Sequence, residues 1–361
     1  MEAYINIIMI FSIAFVVAFF MTPFIKTLAV KVNAIDIPKD GRRVHNKPIP
    51  RLGGLAILTG FIMALIYYLV MVGLGDTEVF NGKILGLLLG IIIIEIAGVW
   101  DDIKPIRAWT KLIFQIVAAA VVVGFGVRIE GLTNPFIADG FIELGVWSIP
   151  ITMIWIVGIT NAINFIDGLD GLADGVATIS SISLLFIAIY LNQPQTIVLA
   201  AALAGATLGF LPFNFNPAKI FMGETGSAFL GFTLGTISIM GLVKTYTAIA
   251  IVVPLIVLGL PIFDTAFAII RRVLSGRSPM QADRGHLHHR LVDSGLSQKQ
   301  SVIILYIVSA FLGLAGIVLI ETGIWKFTLL ILTIVIFIIA GSRYMGEMNF
   351  AEKGDNENEK N

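Results

Sequence analysis

Eleven stretches of predominantly apolar residues divide the chain: 4–24, 53–73, 83–100, 109–126, 148–165, 172–191, 196–213, 225–243, 246–268, 301–320 and 325–342. Each is close to the ~20 residues that a helix needs to cross a bilayer at ~1.5 Å rise per residue. The runs are continuous rather than alternating, which predicts helices and argues against a strand barrel. Ahead of the first run Met1 and Glu2 supply no basic region, and no small-residue cleavage site follows it, so it is expected to persist as a span. The pattern predicts an all-α polytopic membrane protein with one transmembrane helical domain over 1–343 and a disordered, charged tail over 344–361. Between the spans, 127–147 carries Gly, Asn and Pro around short β-prone runs and predicts a small hairpin.

Composition sharpens this. The chain has 361 residues, 57% of them hydrophobic and 13% charged, whereas soluble domains are about 45–50% apolar and about 25% charged. Disorder, nucleic-acid binding through a basic surface, and a disulfide scaffold are excluded, the last because cysteine is absent. The net charge is zero, but its distribution is uneven. With the N-terminus outside, the cytoplasmic segments hold 20 of the 24 Lys and Arg, and the external ones hold Lys83, Arg128, Lys244 and Lys326. Cytoplasmic loops carry the basic excess, so the C-terminus is placed inside. No fixed-period or inverted repeat is evident, which weakens a transporter reading.

The polar clusters all fall on the cytoplasmic side, in loops 25–51, 101–108, 165–172, 214–224 and 269–300. The first carries Lys39, Arg42, Arg43, His45, Lys47 and Arg51 and leads into Gly53-Gly54. Span three ends in Asp101-Asp102, followed by Lys104; an acidic pair is an odd helix terminator, because a C-terminus favours cations. Span five ends in Asn161, Asn164, Asp167, Asp170 and Asp174. No Lys or Arg occurs between Arg128 and Lys219, so these carboxylates need a divalent cation or basic residues from other loops. Span seven leads to Asn214, Asn216, Phe221 and Glu224; Asp264 sits in span nine, and Arg284, His286, His288, His289 and Arg290 follow it. Five clusters on one face suggest one composite site. Simpler readings exist: the glycines could serve turns or close helix packing, and the histidines could touch anionic lipid. Three of the four histidines within four residues, flanked by Arg284 and Arg290, favour anion binding. Glu95 lies seven residues before Asp102 on nearly the same helical stripe and is left without a role.

Oxygen ligands without Cys/His zinc spacing favour Mg²⁺, with Mn²⁺ as the alternative. Hard-metal ligands, many cations and a membrane setting suit phosphoryl transfer between a soluble nucleotide and a lipid phosphate, two anions that must be neutralised before they meet. No P-loop or kinase signature is present.

The segments RRVHNKPIPRLGG, WDDIKPIRAW, NAINFIDGLDGLADG, FNFNPAKIFMGETGS, PIFDTAFAIIRR and RGHLHHRL, in this order, resemble the polyprenyl-phosphate N-acetylhexosamine-1-phosphate transferases from about residue 20 to 300. The paired Arg before the loop and the His-Leu-His-His-Arg segment are similar to the branch that uses UDP-N-acetylglucosamine. The resemblance implies transfer of GlcNAc-1-phosphate from UDP-GlcNAc to undecaprenyl phosphate with Mg²⁺, giving undecaprenyl-diphosphate-GlcNAc and UMP. It would be the initiating step of a cell-envelope glycan such as teichoic acid or lipopolysaccharide O-antigen, at the plasma membrane with the active site facing the cytoplasm. It further implies Asp101, Asp102, Asp167 and Asp170 as catalytic residues, with Asp101 and Asp102 near the lipid phosphate. Asn164 and Glu224 would hold the metal. Lys47, Arg51, Lys104, Phe221, His286, His288, His289 and Arg290 would bind substrate, Phe221 by stacking on uracil. Where the family usually has Asp, this chain has Glu224, whose extra methylene must shift the metal or the backbone. Another UDP-N-acetylhexosamine, a transporter of lipid phosphate or nucleotide sugar, and a scaffold for envelope enzymes stay as alternatives. A homodimer stays open, and no nucleic-acid partner is expected.

Cysteines introduced at Lys39 and Asp139 should label from opposite sides of sealed cells. Labelling of both from outside would overturn the orientation.

Overall fold

The structure is a computed structural model that describes residues 2–38, 47–72, 81–133, 141–241, 249–276, 285–322 and Thr328. Its helices are α1 (Glu2–Lys31), α2 (Gly54–Val72), α3 (Gly82–Ile103), α4 (Ala108–Gly124), α5 (Ser148–Ile166), α6 (Leu172–Tyr190), α7 (Pro194–Asn214), α8 (Gly223–Met240), α9 (Ile249–Val257), α10 (Gly259–Leu274), α11 (Leu287–Asp293) and α12 (Gln298–Thr322). Two-residue strands β1 (Ile35–Asp36) and β2 (Ile49–Pro50) pair antiparallel. So do β3 (Gly131–Thr133) and β4 (Phe141–Glu143), the hairpin expected within 127–147.

Among the described residues, seven helical segments are long and apolar enough to cross a membrane: those of α1, α2, α3, α5, α6, α7 and α12. Helix α4, with 17 residues, is apolar but shorter. Three more of the expected spans coincide with α4, α8 and the α9–α10 pair, while the expected span 325–342 and the tail 344–361 lie outside the described residues. Helix α8 owes its weaker apolar signal to its glycines, threonines and serines, yet every residue from Thr225 to Met240 is buried. It forms the centre of the bundle, against α3, α5 and α2, while α1 packs on α2 and α7 at the side.

The run 246–268 is not one helix. It breaks at Leu258, between Pro254 and Pro261. Proline has no N–H to give the carbonyl four residues earlier. The carbonyl that Pro261 leaves without that bond, at Val257, accepts from the Ser180 hydroxyl of α6 at 3.3 Å. Helix α1 also runs seven residues past the expected end at 24, to Lys31, before the chain turns into β1.

Residues 50–54 lie alongside the start of α8. Phe221 donates its N–H to the Pro50 carbonyl at 2.8 Å, Gly53 donates to Phe221 at 3.0 Å, and Gly54 to Met222 at 2.9 Å. A side chain at Gly54 would overlap the backbone of Thr225 and Gly226. Here close packing explains the glycine pair. Gly54→Ala should lower the thermal midpoint in detergent, since overpacking against immovable backbone costs about 1–3 kcal/mol. Gly158→Ala, where nothing lies within 4 Å, should leave the midpoint equal or slightly raised. Thermal unfolding monitored by far-UV circular dichroism checks both.

Candidate active site

Six parts of the chain meet at one end of the bundle around a cavity of about 430 Å³. Asp101 closes α3 there, Lys111 stands in the first turn of α4, and Asn164 leads into the turn carrying Asp167 and Asp170. Phe221 and Glu224 come from the start of α8, Asp36 and Arg51 from beside the β1–β2 pair, and His289 from α11.

The two acids that end α3 do different things. Asp102 is buried and reaches the N-terminus of α8: Oδ1 accepts the Glu224 N–H at 2.9 Å, and Oδ2 accepts the Thr225 N–H at 3.0 Å and the Thr225 hydroxyl. A helix start has N–H groups without intrahelical partners and a partial positive charge, so a carboxylate is well placed there. Asp102 does not line the cavity; it fixes the backbone that presents Glu224. Asp101 does line it. Its Oδ1 accepts the Ile106 N–H at 2.8 Å, and its Oδ2 accepts from Lys111 Nζ at 2.9 Å.

Lys111 bridges to Glu224 Oε2, also at 2.9 Å, and Asn164 Nδ2 donates to that oxygen at 2.9 Å and to Ser227 Oγ at 2.8 Å. Asp170 Oδ2 accepts from Asn216 Nδ2 and the Ala218 N–H, both at 3.0 Å, and so shapes the segment after α7. Gly171 follows with φ +78°, a left-handed conformation that a side chain would strain. Asp167 opens onto the cavity and is enclosed by protein elsewhere. Burial pushes its carboxyl up to about 7, Glu224, Asp102 and Asp170 add to the rise, and Arg51 opposes it.

Among the described residues the cavity wall thus holds five carboxylates, Asp36, Asp101, Asp167, Asp170 and Glu224, against the full charges of Arg51 and Lys111. Arg51 already sits 3.5 Å from Asp36. The remaining excess of negative charge suits a hard cation. The Oδ1 of Asn164 and the Oε1 of Glu224 are oxygen donors of the type that Mg²⁺ or Mn²⁺ takes. Among the described residues no three His, Cys, Asp or Glu side chains form a ready-made cage. Mg²⁺ commonly needs none, because it shares one or two carboxylates with substrate phosphates.

The remaining expected site residues separate clearly. His289 lines the cavity, and so do Phe221 and Arg51. His286 and His288 are buried and do not line it. His288 lies against Gly168, and among the described residues neither of its ring nitrogens has a hydrogen-bond partner. Burial, with His289 and His286 nearby, pushes its pKa down to about 3 against the pull of Asp264, so it is neutral at physiological pH. Lys47, Lys104 and Arg290 are exposed and outside the cavity wall; the Arg290 guanidinium lies 5.8 Å from the centre of the Phe267 ring. Glu95 is buried, with no partner for either oxygen among the described residues, and borders a separate apolar cavity of about 680 Å³ between α2 and α3.

Lys111 is the functional candidate that sequence reasoning passed over, having counted it only toward orientation. The available signal was its position: a cation in the first turn of an apolar helix opposes the helix dipole and calls for an acidic partner.

The sequence profile of glycosyl transferase family 4 matches residues 84–242, the stretch that supplies Asp101, Lys111, Asn164, Asp167, Asp170, Phe221 and Glu224 to the cavity. The chain is 38% identical over 349 residues to a probable undecaprenyl-phosphate N-acetylglucosaminyl 1-phosphate transferase of Bacillus subtilis (strain 168), covering 96% of this chain and 94% of that one. It is 36% identical over 314 residues to the decaprenyl-phosphate N-acetylglucosaminephosphotransferase of Mycolicibacterium smegmatis, covering 81% of this chain and 77% of the relative. A phospho-N-acetylmuramoyl-pentapeptide-transferase of Limosilactobacillus fermentum is 34% identical over 240 residues, which cover 63% of this chain and 72% of the relative. With near-full-length similarity at this level, and with the acidic cavity built mainly from the matched stretch, the chain belongs to glycosyl transferase family 4.

Proposed function

We propose that the protein transfers GlcNAc-1-phosphate from UDP-GlcNAc to undecaprenyl phosphate, as the initiating membrane step of a cell-envelope glycan such as teichoic acid. The observation that carries this reading is the cavity itself, with its five carboxylates, two cations and an aromatic residue at one end of an apolar bundle. The names of the relatives, which pair a polyprenyl phosphate with an N-acetylglucosaminyl phosphate, support the substrate class. The Lys and Arg bias of the loops supports a cytoplasmic position for this end of the bundle, where nucleotide sugars are available.

In the reaction, an oxygen of the lipid phosphate attacks the sugar-bearing phosphorus of UDP-GlcNAc. A new P–O bond forms, the P–O bond to the bridging oxygen breaks, and UMP leaves with that oxygen. Bound Mg²⁺ would neutralise phosphate charge at Asn164 and Glu224. Asp101, which lines the cavity where Asp102 does not, would receive a proton from the lipid phosphate. Lys111, by bridging Asp101 and Glu224, keeps the two at a fixed separation. Arg51 and His289 border the same space and supply donors toward the diphosphate, and Phe221 offers a face for the uracil ring. Asp167 and Asp170 shape the nucleotide side.

Radiolabel transfer from UDP-GlcNAc to undecaprenyl phosphate by purified protein in detergent, with UDP-GalNAc and UDP-MurNAc-pentapeptide as competitors, tests the reaction. Transfer should vanish in EDTA and return with Mg²⁺ or Mn²⁺; full activity in EDTA would sink the metal-assisted reading. In a Mg²⁺ titration of initial rates, Glu224→Gln should need more metal and recover only partly, while Glu224→Asp should be milder. A Gln variant that matches wild type throughout would remove Glu224 from the ligand set.

Asp101 and Asp102 should separate by readout. Asp101→Asn should lower kcat by about 10²-fold or more, the range of general acid–base contributions, with a smaller fall in thermal midpoint than Asp102→Asn, because the amide oxygen can keep the Ile106 N–H while Lys111 keeps Glu224. Asp102→Asn should lower the midpoint, because an amide NH₂ facing the N–H donors of α8 costs about 1–3 kcal/mol. Initial rates and thermal unfolding on both variants check this.

A further inference from the structure

Asp264 in α10 is buried and lines neither cavity. Its carboxylate holds the chain leading into α11 at two points. Oδ1 accepts the Leu287 N–H at 2.6 Å, and Oδ2 lies 2.9 Å from Nδ1 of His286. On the far side of that imidazole, Nε2 meets Nη2 of Arg272 at 3.3 Å. One residue earlier, Arg271 donates from Nη1 to the Gly285 carbonyl at 2.7 Å. One helix therefore grips three consecutive residues, 285–287.

The partners of His286 allow a single hydrogen arrangement. A guanidinium only donates, so Nε2 accepts from Arg272 and the ring proton sits on Nδ1, where Asp264 receives it. A carboxylate is the matching group, because it only accepts when ionised. The ring is fixed in both tautomer and orientation.

What this fixes lies farther along the segment. The His286 ring stacks on His288, with centroids 5.7 Å apart and 14° between planes, and His288 touches His289 at 4.3 Å. Of the three, His289 reaches the cavity. We propose that Asp264 is a positioning residue that acts through His286 to hold His289 against the bound UDP-sugar, and that His286 is a strut in this arrangement rather than a substrate ligand. The identity of the ligand rests on the function proposed above; the latch itself does not.

If the latch fails, the segment spends less time in its binding-competent position, and apparent affinity falls by the same fraction. Asp264→Asn keeps an oxygen for Leu287 but turns an NH₂ toward Nδ1, which forces the other tautomer and sets two donors against each other at Arg272. For this variant the KM for UDP-GlcNAc should rise about 10-fold or more, while the KM for undecaprenyl phosphate and kcat at saturating nucleotide change by less than about threefold. His286→Asn, whose amide N–H can stand near the Nδ1 position, should recover much of what His286→Gln loses. Hydrogen exchange followed by mass spectrometry, on the full-length protein without substrate, should show the Leu287 amide exchanging about 10-fold faster in Asp264→Asn, with α5 and α6 unchanged.

Unchanged nucleotide KM together with unchanged exchange at Leu287 would overturn the proposal. Equal loss of kcat in His286→Asn and His286→Gln would also overturn it, by making His286 a group that meets the reacting atoms. Absence of turnover in the wild type would defeat the proposed function alone, since the exchange measurement still decides the latch.

Discussion

A buried carboxylate at the start of a central helix organises this protein. Asp102 accepts two backbone N–H groups and one hydroxyl at the N-terminus of α8, and thereby joins α3 to the helix that α5, α2 and α3 all pack against. Without an acceptor, those N–H groups would be buried and unsatisfied, a state that costs more than a normal hydrogen bond gains. The attachment also determines where Glu224 and Asp101 stand, because each is a direct neighbour in sequence of a bonded residue or of Asp102 itself. The ladder between 50–54 and 221–222 secures the same point from the opposite side. Site geometry is therefore a by-product of how the bundle closes.

The second constraint is charge. Like charges brought together in a poorly hydrated space raise one another's cost of ionisation, and the fold relieves this by specific placement rather than by dilution. Lys111 stands between Asp101 and Glu224, Arg51 stands by Asp36, and Asp170 faces an amide and an N–H. Among the described residues Asp167 has no counter-charge so close, and its pKa is raised. A wall of this composition favours the approach of a cation over that of a bare anion.

The apolar helices were legible because a bilayer tolerates no unpaired backbone, so helices and apolar composition must coincide. Helix α8 is the instructive case: its span could be read, although its small polar residues exist for packing against other helices. The break at Leu258 was not legible, since prolines are tolerated in spans where a neighbour such as Ser180 can supply the missing donor. In the site, residue type indicated chemistry but not direction. Asp101 and Asp102 are identical letters one position apart, and a helix sends them toward the cavity and toward α8 respectively. His286, His288 and His289 read as one anion-binding cluster, while a carboxylate from α10, one of its arginines and a glycine backbone give them three environments. Lys111 escaped notice because its partners lie 10 and 113 residues away.

The bond between Asp102 and Thr225 spans 123 residues, and that separation bears on how the chain is made. Synthesis runs from the N-terminus, so α3 reaches the membrane well before the start of α8 exists. Until then its terminal carboxylate has no helix N-terminus to meet, and an ionised side chain unpaired in hydrocarbon is costly. The acidic end of α3 must wait at the aqueous interface, hydrated, and be drawn inward only when α8 arrives. The cavity, whose walls extend from Asp36 to Gln298, is consequently among the last features to form. A ribosome that stalls before α11 leaves inserted helices but no His289 at the site, so an interrupted chain reaches the bilayer without a complete cavity.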